Sequence, residues 1–353
     1  MMKILVIALS GIGDALMFTP ALHLIRKSNP SAKIDALVMF GGVKDMYERN
    51  ENIDGVIHFD FLNKGILQAL KFVLSLRGKY DVSVNVYPSN RKEYNIINFL
   101  IGAEKRAGVR YLRRNFKEFG FLNNVSITEN DNVHNVRTNI KLSSALMNRE
   151  FNEEPPLYFP LTDGDEKFVA DFLNLNKINQ GDTVIGLHPG SATLKNHIKR
   201  RWEPEKFAEL GRLLIEKNNA KVLVFGGPEE KELKEKIVKE INSDKAVFVN
   251  AGNLGESGAL IKRCGVFVSN DSSLMHVAAA MEKKVVAIIG PTNTHYIHPW
   301  KTEYKIVTLN LDCSPCFIYS PRPLICFRND VKFKCIKELK TEMVYDAVSD
   351  FLN

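Results

Sequence analysis

No stretch of 18 consecutive apolar residues occurs in the 353-residue chain, which leaves no candidate for a membrane-spanning helix. The opening apolar run, Ile4 to Leu9, is shorter than a signal-peptide core and leads straight into a glycine turn, so a cytoplasmic protein is expected. Cysteine is scarce, five residues in all, too few for a disulfide-framed secreted scaffold of this length. Neither internal repeats nor low-complexity tracts occur, which excludes solenoids and long disordered arms. Gly11 and Gly13 are followed by Leu16 where a dinucleotide fingerprint needs a third glycine, which disfavours nicotinamide or flavin chemistry. No DxD-like carboxylate pair stands at a strand end to hold magnesium.

What is present is 45% hydrophobic and 25% charged, enough for two ordinary domains, each with its own core. The net charge of +7 favours an anionic partner: nucleotide phosphates, a phosphorylated glycolipid, a membrane surface or nucleic acid. Charge alone does not choose among them. Lys3–Leu9 reads as a buried parallel strand, residues 10–13 as a tight loop of phosphate size, and Asp14–Lys27 as a helix. Strands are expected at 34–39, 56–59 and 82–86, with helical stretches such as 64–77 between them. Proline, acid and glycine crowd residues 153–164, which places a domain boundary near 155–165. Beyond it, strands are expected at 184–187, 222–225, 247–249, 266–269, 285–289 and 306–309. The series ends with an amphipathic helix over 337–352. Alternation of this kind implies an α/β protein of two Rossmann-like domains with parallel sheets facing a cleft, where ligands settle at the carboxyl ends of the strands.

The most informative stretch is 266–281. Val266–Ser269 suits a short buried strand, Asn270 and Asp271 break it, and Ser272–Met281 has apolar residues at helical spacing. Asp271 suits an N-cap, and the free N–H groups of Ser272 and Ser273 with the helix dipole suit a diphosphate, with His276 at the side of the helix mouth. A capped helix with a packing histidine fits the same pattern.

The run NDSSLMHVAAAMEKKVVAIIGPTNTHYIHPW at 270–300, with LHPGS at 187–191, KRRWEPEKFAEL at 199–210 and GIGDALMFTP at 11–20, resembles glycosyltransferase family 9, the ADP-heptose heptosyltransferases. The resemblance implies the two-domain GT-B architecture, with an acceptor domain over 1–160, a nucleotide-sugar domain over 161–335, and a terminal helix over 336–353 that packs back on the first domain. It implies metal-independent, inverting transfer of heptose from ADP-heptose to a lipopolysaccharide core, at the inner face of the inner membrane, with no nucleic acid involved. A protein acceptor of the autotransporter type, another glycan acceptor, or a non-catalytic nucleotide-sugar-binding protein remain alternatives.

Residue roles carried over from the family follow its motifs. Asp14, in the glycine-rich loop with Gly11 and Gly13, matches the catalytic base, although a helix N-cap uses the same residue. Ser191, Lys199, Arg200, Asp271, Ser272, Ser273 and His276 fall to the donor, with Glu229 toward the ribose or base and Glu230 an equal candidate. The family has lysine two positions before the tryptophan matched by Trp202; here Arg200 stands there and Lys199 one place earlier, which leaves open which of them meets the diphosphate. Pro291, Thr292, His295, His298 and Trp300 follow another strand end near the donor sugar.

The basic stretch 91–114, with Arg91, Arg110 and Arg113, can grip phosphates of an anionic acceptor or form a solvated face. Cys313, Cys316, Cys326 and Cys335 have the CxxC start of a four-thiolate site for structural zinc or iron, and also suit four ordinary reduced thiols. Family members that glycosylate autotransporters carry a cysteine-held iron at a similar place.

Overall fold

The computed structural model describes residues 1–89, 91–317 and 323–352. It divides into two compact units, Met1–Pro160 and Leu161–Asn353.

The first unit alternates β1 (Lys3–Ala8), α1 (Ile12–Ser28), β2 (Lys33–Val38), α2 (Gly41–Glu48), β3 (Gly55–His58), α3 (Ile66–Ser75), β4 (Val82–Asn85), α4 (Lys92–Ile101), β5 (Lys105–Arg110), β6 (Val125–Thr128) and α5 (Asn135–Met147). Its strands form one sheet in the order β3-β2-β1-β4-β5-β6, every neighbouring pair parallel. Central β1 has five of its six residues buried, Ile4 to Ala8, as a strand covered on both faces requires. One face is covered by α3 and α4, whose Val73, Ile97 and Ile101 pack with Leu5, Ile7 and Leu37. α5 packs against α1.

The second unit repeats the plan: α6 (Asp163–Leu175), β7 (Val184–His188), α7 (Pro204–Asn218), β8 (Lys221–Val224), α8 (Lys231–Ile241), β9 (Ala246–Phe248), α9 (Leu254–Arg263), β10 (Val266–Asn270), α10 (Ser273–Ala280), β11 (Lys284–Ile288), α11 (Thr294–Ile297), β12 (Tyr304–Val307), α12 (Lys334–Lys337) and α13 (Thr341–Leu352). The sheet order is β12-β11-β10-β7-β8-β9, again all parallel. Numbered within each unit, both sheets read 3-2-1-4-5-6. The order therefore reverses between β1 and β4 in one unit and between β7 and β10 in the other, the two points where ligands gather in open parallel sheets.

One expectation changes. Helix α1 begins at Ile12 with Gly11 as N-cap, so Gly13 lies in its first turn rather than in a phosphate-sized loop. The terminal helix α13 packs on α7 and on strands of the second sheet, with Val344 and Val348 in the second unit's core. Its apolar stripe meets the α7 face built around Phe207, Leu210 and Leu214. Trp202, fully buried, ties these pieces together by donating its ring N–H to Leu339 O at 2.9 Å.

Candidate active site

In the second unit, β7 and β10 lie side by side with Ser269 opposite His188. The loops that leave them are joined by hydrogen bonds. His188 Nδ1 lies 2.8 Å from Ser272 Oγ, Asn270 donates to Pro189 O at 2.7 Å, and Trp202 N–H donates to Asn270 Oδ1 at 3.0 Å. The switch point of this sheet is thus a fixed platform, and α10 rises from it.

Ser272, not Asp271, is the N-cap of α10, and it makes no side-chain cap bond. The reason is competition: Ser272 Oγ is held by His188, while the Asp271 carboxylate accepts from Arg200 Nη1 at 2.5 Å and from Thr292 Oγ1 at 2.6 Å. The first amides of α10 therefore face outward without a side-chain acceptor, the condition that favours an anion at a helix start.

The three successive cations have different fates. Arg200 and Asp271 form a pair with side chains 11% and 10% exposed, and the guanidinium lies over the Phe317 ring at 5.3 Å. Arg200 Nε is buried without a hydrogen-bond partner among the described residues. Arg201 turns inward to Glu230 at 2.6 Å and to Ser191 O at 2.5 Å. Lys199 alone of the three is exposed.

His276 is buried rather than at a solvent-facing mouth, and burial lowers its pKa to about 4, with nearby Asp271 pulling it up and His298 pushing it further down. It is neutral at pH 7, and its Nδ1 is buried without a partner among the described residues. Two polar nitrogens, one on Arg200 and one on His276, thus stand unsatisfied near the same carboxylate. A buried polar atom left in this condition destabilises the fold unless something polar meets it.

Ser191 is buried and its hydroxyl turns to His197 O at 3.3 Å. Glu230 is committed within the protein, so it is no longer an equal candidate with Glu229. Burial alone raises its pKa, but its bonds to His188 and Arg201 and the Gly227 N–H outweigh burial and hold it below the ordinary glutamate value. Gly190 is glycine for a steric reason: a Cβ there overlaps the Glu230 carboxylate. Glu229 is exposed.

In the first unit, the ends of β1 and β4 meet where Ser10 Oγ donates to Pro88 O at 2.8 Å. Asp14 lies in the first turn of α1, where the helix dipole favours its charge. Its neighbours are phenols. Tyr47 donates to Ala15 O at 2.9 Å, Tyr94 donates to Leu9 O at 2.8 Å, and Tyr111 accepts from Ser89 N–H at 2.5 Å. Burial raises all three pKa values, Tyr94 to about 12, and the Asp14 charge adds to each rise. Asp14 is thus a carboxylate ringed by groups that keep their own protons at neutral pH. Tyr94 and Tyr111 are visible as aromatics within the basic stretch, but nothing in the spacing marks Tyr47 as their neighbour.

The basic stretch does not act as one surface. Arg113 pairs with Asp131 at 2.5 Å and Arg114 with Glu118 at 3.3 Å. Arg91 lies over Tyr94 at 5.8 Å, and exposed Arg110 donates to Ser126 Oγ at 3.2 Å.

The four later cysteines are gathered but not assembled as metal ligands. Burial raises Cys335 to about 11, with Cys316, Cys326 and Cys313 each adding to the rise, so the thiols share one neighbourhood. Cys326 Sγ accepts from Phe333 N–H at 3.2 Å, and Arg328 lies 3.5 Å from Cys313 Sγ. Among the described residues no three His, Cys, Asp or Glu side chains are arranged to hold an ion. The four-thiolate site that the CxxC spacing suggests is thus not shown among the described residues, and residues 318–322 of that segment lie outside them.

Comparison with known proteins agrees with this architecture. The profile of glycosyltransferase family 9 (heptosyltransferase) matches residues 69–322. Lipopolysaccharide heptosyltransferase 2 of Escherichia coli strain K12 is 27% identical over 321 residues, covering 87% of this chain and 88% of that protein. In fold, the chain is similar to the solved structure of E. coli ADP-heptose lps heptosyltransferase II, with TM-score 0.74, 21% identity and coverage of 99% of this chain and 98% of that one. It is also similar to a family 9 glycosyl transferase from Veillonella parvula, with TM-score 0.76, 22% identity and coverage of 99% and 97%.

Proposed function

Because the chain belongs to glycosyltransferase family 9, we propose that it moves a heptose from ADP-heptose to a lipopolysaccharide core acceptor, with inversion at the anomeric carbon. The observation that carries this reading is the uncapped start of α10, with the unsatisfied nitrogens of Arg200 and His276 nearby. The donor diphosphate accepts from the amides of Ser272 and Ser273 and draws on the dipole of α10. Exposed Lys199 supplies a mobile cation and Arg200 a fixed one, so both meet the diphosphate, the first directly and the second through a guanidinium still shared with Asp271. Glu229, free to turn to solvent, accepts from the ribose hydroxyls. Ser191 serves the donor through its backbone rather than its hydroxyl.

Asp14 takes the proton of the acceptor hydroxyl while that oxygen bonds to the anomeric carbon. The bond from that carbon to the diphosphate breaks, and ADP departs with its new charge met by Lys199, Arg200 and the α10 dipole, without a divalent ion. Arg91 and Arg110 are the acceptor contacts of this reading, Gly11 and Gly13 shape the turn that presents Asp14, and Arg113 contributes only if it leaves Asp131. The lipid of the acceptor places the reaction at the inner face of the inner membrane.

The test is a donor screen followed by turnover. ADP-heptose and ADP are expected to raise the melting temperature where UDP- and GDP-sugars do not, and ADP release is expected only when a heptose-deficient core acceptor is added. Stabilisation by UDP-sugars instead, or equal ADP release from wild type and Asp14→Asn, overturns the proposal.

A further inference from the structure

Helix α3 is out of keeping with the rest of the first unit. Of its ten residues, ILQALKFVLS, only Val73 is buried. Ile66 and Leu67 are 86% and 83% exposed, and Leu70 and Leu74 are 41% and 43% exposed. At helical spacing these four fall within an arc of about 100°, so they form one apolar stripe, which adjoins, at Ile66, the stripe that Val73 and Leu76 give to the core. A helix apolar over so wide an arc is ordinarily buried over all of it. Among the described residues, nothing covers the part formed by Ile66, Leu67, Leu70 and Leu74.

Along the chain, the segment that carries this stripe, between Asp60 and Asp81, has charge of one sign. From Phe61 to Tyr80 there is no acidic residue, while Lys64, Lys71, Arg77 and Lys79 are all exposed. A second copy of the helix set against the first brings like charges together, and the stripe is a raised helix surface rather than a groove for another helix. Long apolar side chains flanked by lysines match the boundary between acyl chains and anionic headgroups, where the aliphatic stems lie along the apolar layer and the ammonium groups reach the phosphates. No helix among the described residues is long and apolar enough to cross a membrane, and α3, about 15 Å long, is of a length to lie in the surface. Further exposed apolar side chains lie in a nearby segment: α3 packs on α4, α4 packs on the 3-10 turn Gly120–Leu122, and in and just before that turn Phe121 and Phe116 are 58% and 80% exposed.

We propose that α3 is a membrane-docking helix that seats the first unit on an anionic phospholipid surface through Ile66, Leu67, Leu70 and Leu74. This stands whether or not the donor is ADP-heptose, because the surface lies outside every residue assigned to donor or acceptor.

The test uses the full chain, without donor, co-sedimented with vesicles of phosphatidylcholine alone or mixed with phosphatidylglycerol. Wild type is expected to partition onto the mixed vesicles, more weakly onto the neutral ones, and more weakly in high salt. The triple variant Ile66→Ser, Leu67→Ser, Leu70→Ser is expected to lose at least about tenfold in partitioning, with an unchanged melting temperature. Lys64→Glu with Lys71→Glu, which leaves the apolar stripe intact, is expected to lose the preference for anionic vesicles. Partitioning of both variants equal to wild type overturns the proposal, as does wild type that stays in the supernatant. So does concentration-dependent self-association of wild type, seen by sedimentation velocity and abolished in the triple variant without loss of vesicle binding, since the stripe then pairs two copies.

Discussion

Arg200→Met separates structure from function at the donor platform. The guanidinium and the Asp271 carboxylate are both about nine-tenths buried and 2.5 Å apart. Methionine keeps much of the apolar volume but leaves the carboxylate without its cation. Removing one partner of a buried pair costs about 3–5 kcal/mol, chiefly because the other charge stays behind desolvated. Two details bear on where in that range the cost falls. Thr292 still donates to Asp271 at 2.6 Å, which lowers it, and loss of the guanidinium over Phe317 adds about 0.5–1 kcal/mol. A net loss near 3 kcal/mol is expected, or about 6–12 °C in the melting transition of a unit this size. Arg200→Met with Asp271→Asn removes the stranded charge and should recover more than half of that loss. Calorimetric scans of the three proteins with and without ADP give both readings at once: stability from the free protein, and the donor contribution from the ligand-induced shift. If Arg200→Met melts within about 1 °C of wild type, the pair is no buried ion pair. If the double variant keeps a full ADP shift, Arg200 has no part in holding the diphosphate.

Four further outcomes follow from the same geometry. Asp14→Asn should lower turnover by about a hundredfold or more while leaving the ADP-induced shift in melting unchanged; equal turnover refutes its role as base. His276, with a folded pKa of about 4 against 6.5 when unfolded, takes up its proton in the unfolded chain first, so it lowers stability as pH falls from 6.5 toward 4, by about 3 kcal/mol in full. His276→Gln should flatten that part of the stability profile, and an unchanged slope between pH 6.5 and 4 refutes the burial argument. Glu230, held below its ordinary value, stabilises above the unfolded glutamate pKa and loses this as pH falls through its lower folded value, so Glu230→Gln should be most destabilising at neutral pH and least in acid. Gly190→Ala should destabilise by about 1–3 kcal/mol by driving a Cβ into the Glu230 carboxylate, and a neutral result in urea denaturation shows that the loop yields.

The strands were legible because parallel strands buried on both faces leave continuous apolar runs. Ile4–Leu9 and Val266–Ser269 declare themselves, and the structure moves their ends by a residue. β5 and β6 were not legible. β5 reads KRAGVR, with only its inner three residues buried, and β6 alternates intermediate with exposed, so both look like pieces of a basic, solvated stretch. They are strands because the sheet that starts at β1 has a free edge beyond β4, and backbone pairing there does not need an apolar side chain at each position.

The site shows a similar division, drawn by charge pairing. A sequence lists Lys199, Arg200, Arg201, Glu229, Glu230 and Asp271 as ionisable groups of equal standing, but burial makes them unequal. A buried charge is stable only when paired, so the platform first uses Arg201 and Glu230 to satisfy each other and Arg200 to satisfy Asp271. What this leaves for a ligand is Lys199, Glu229, the amides at the start of α10 and the unmet nitrogens of Arg200 and His276. Cap chemistry follows from the same competition. Asp271 reads as the N-cap from its position, yet a carboxylate beside a desolvated guanidinium gains more from that charge than from a backbone amide, and the cap passes to Ser272. The amides of α10 stay open because a buried arginine has drawn away the side chain best able to close them. Arg200 suits this place because its planar fork can hold Asp271 and still present a second edge.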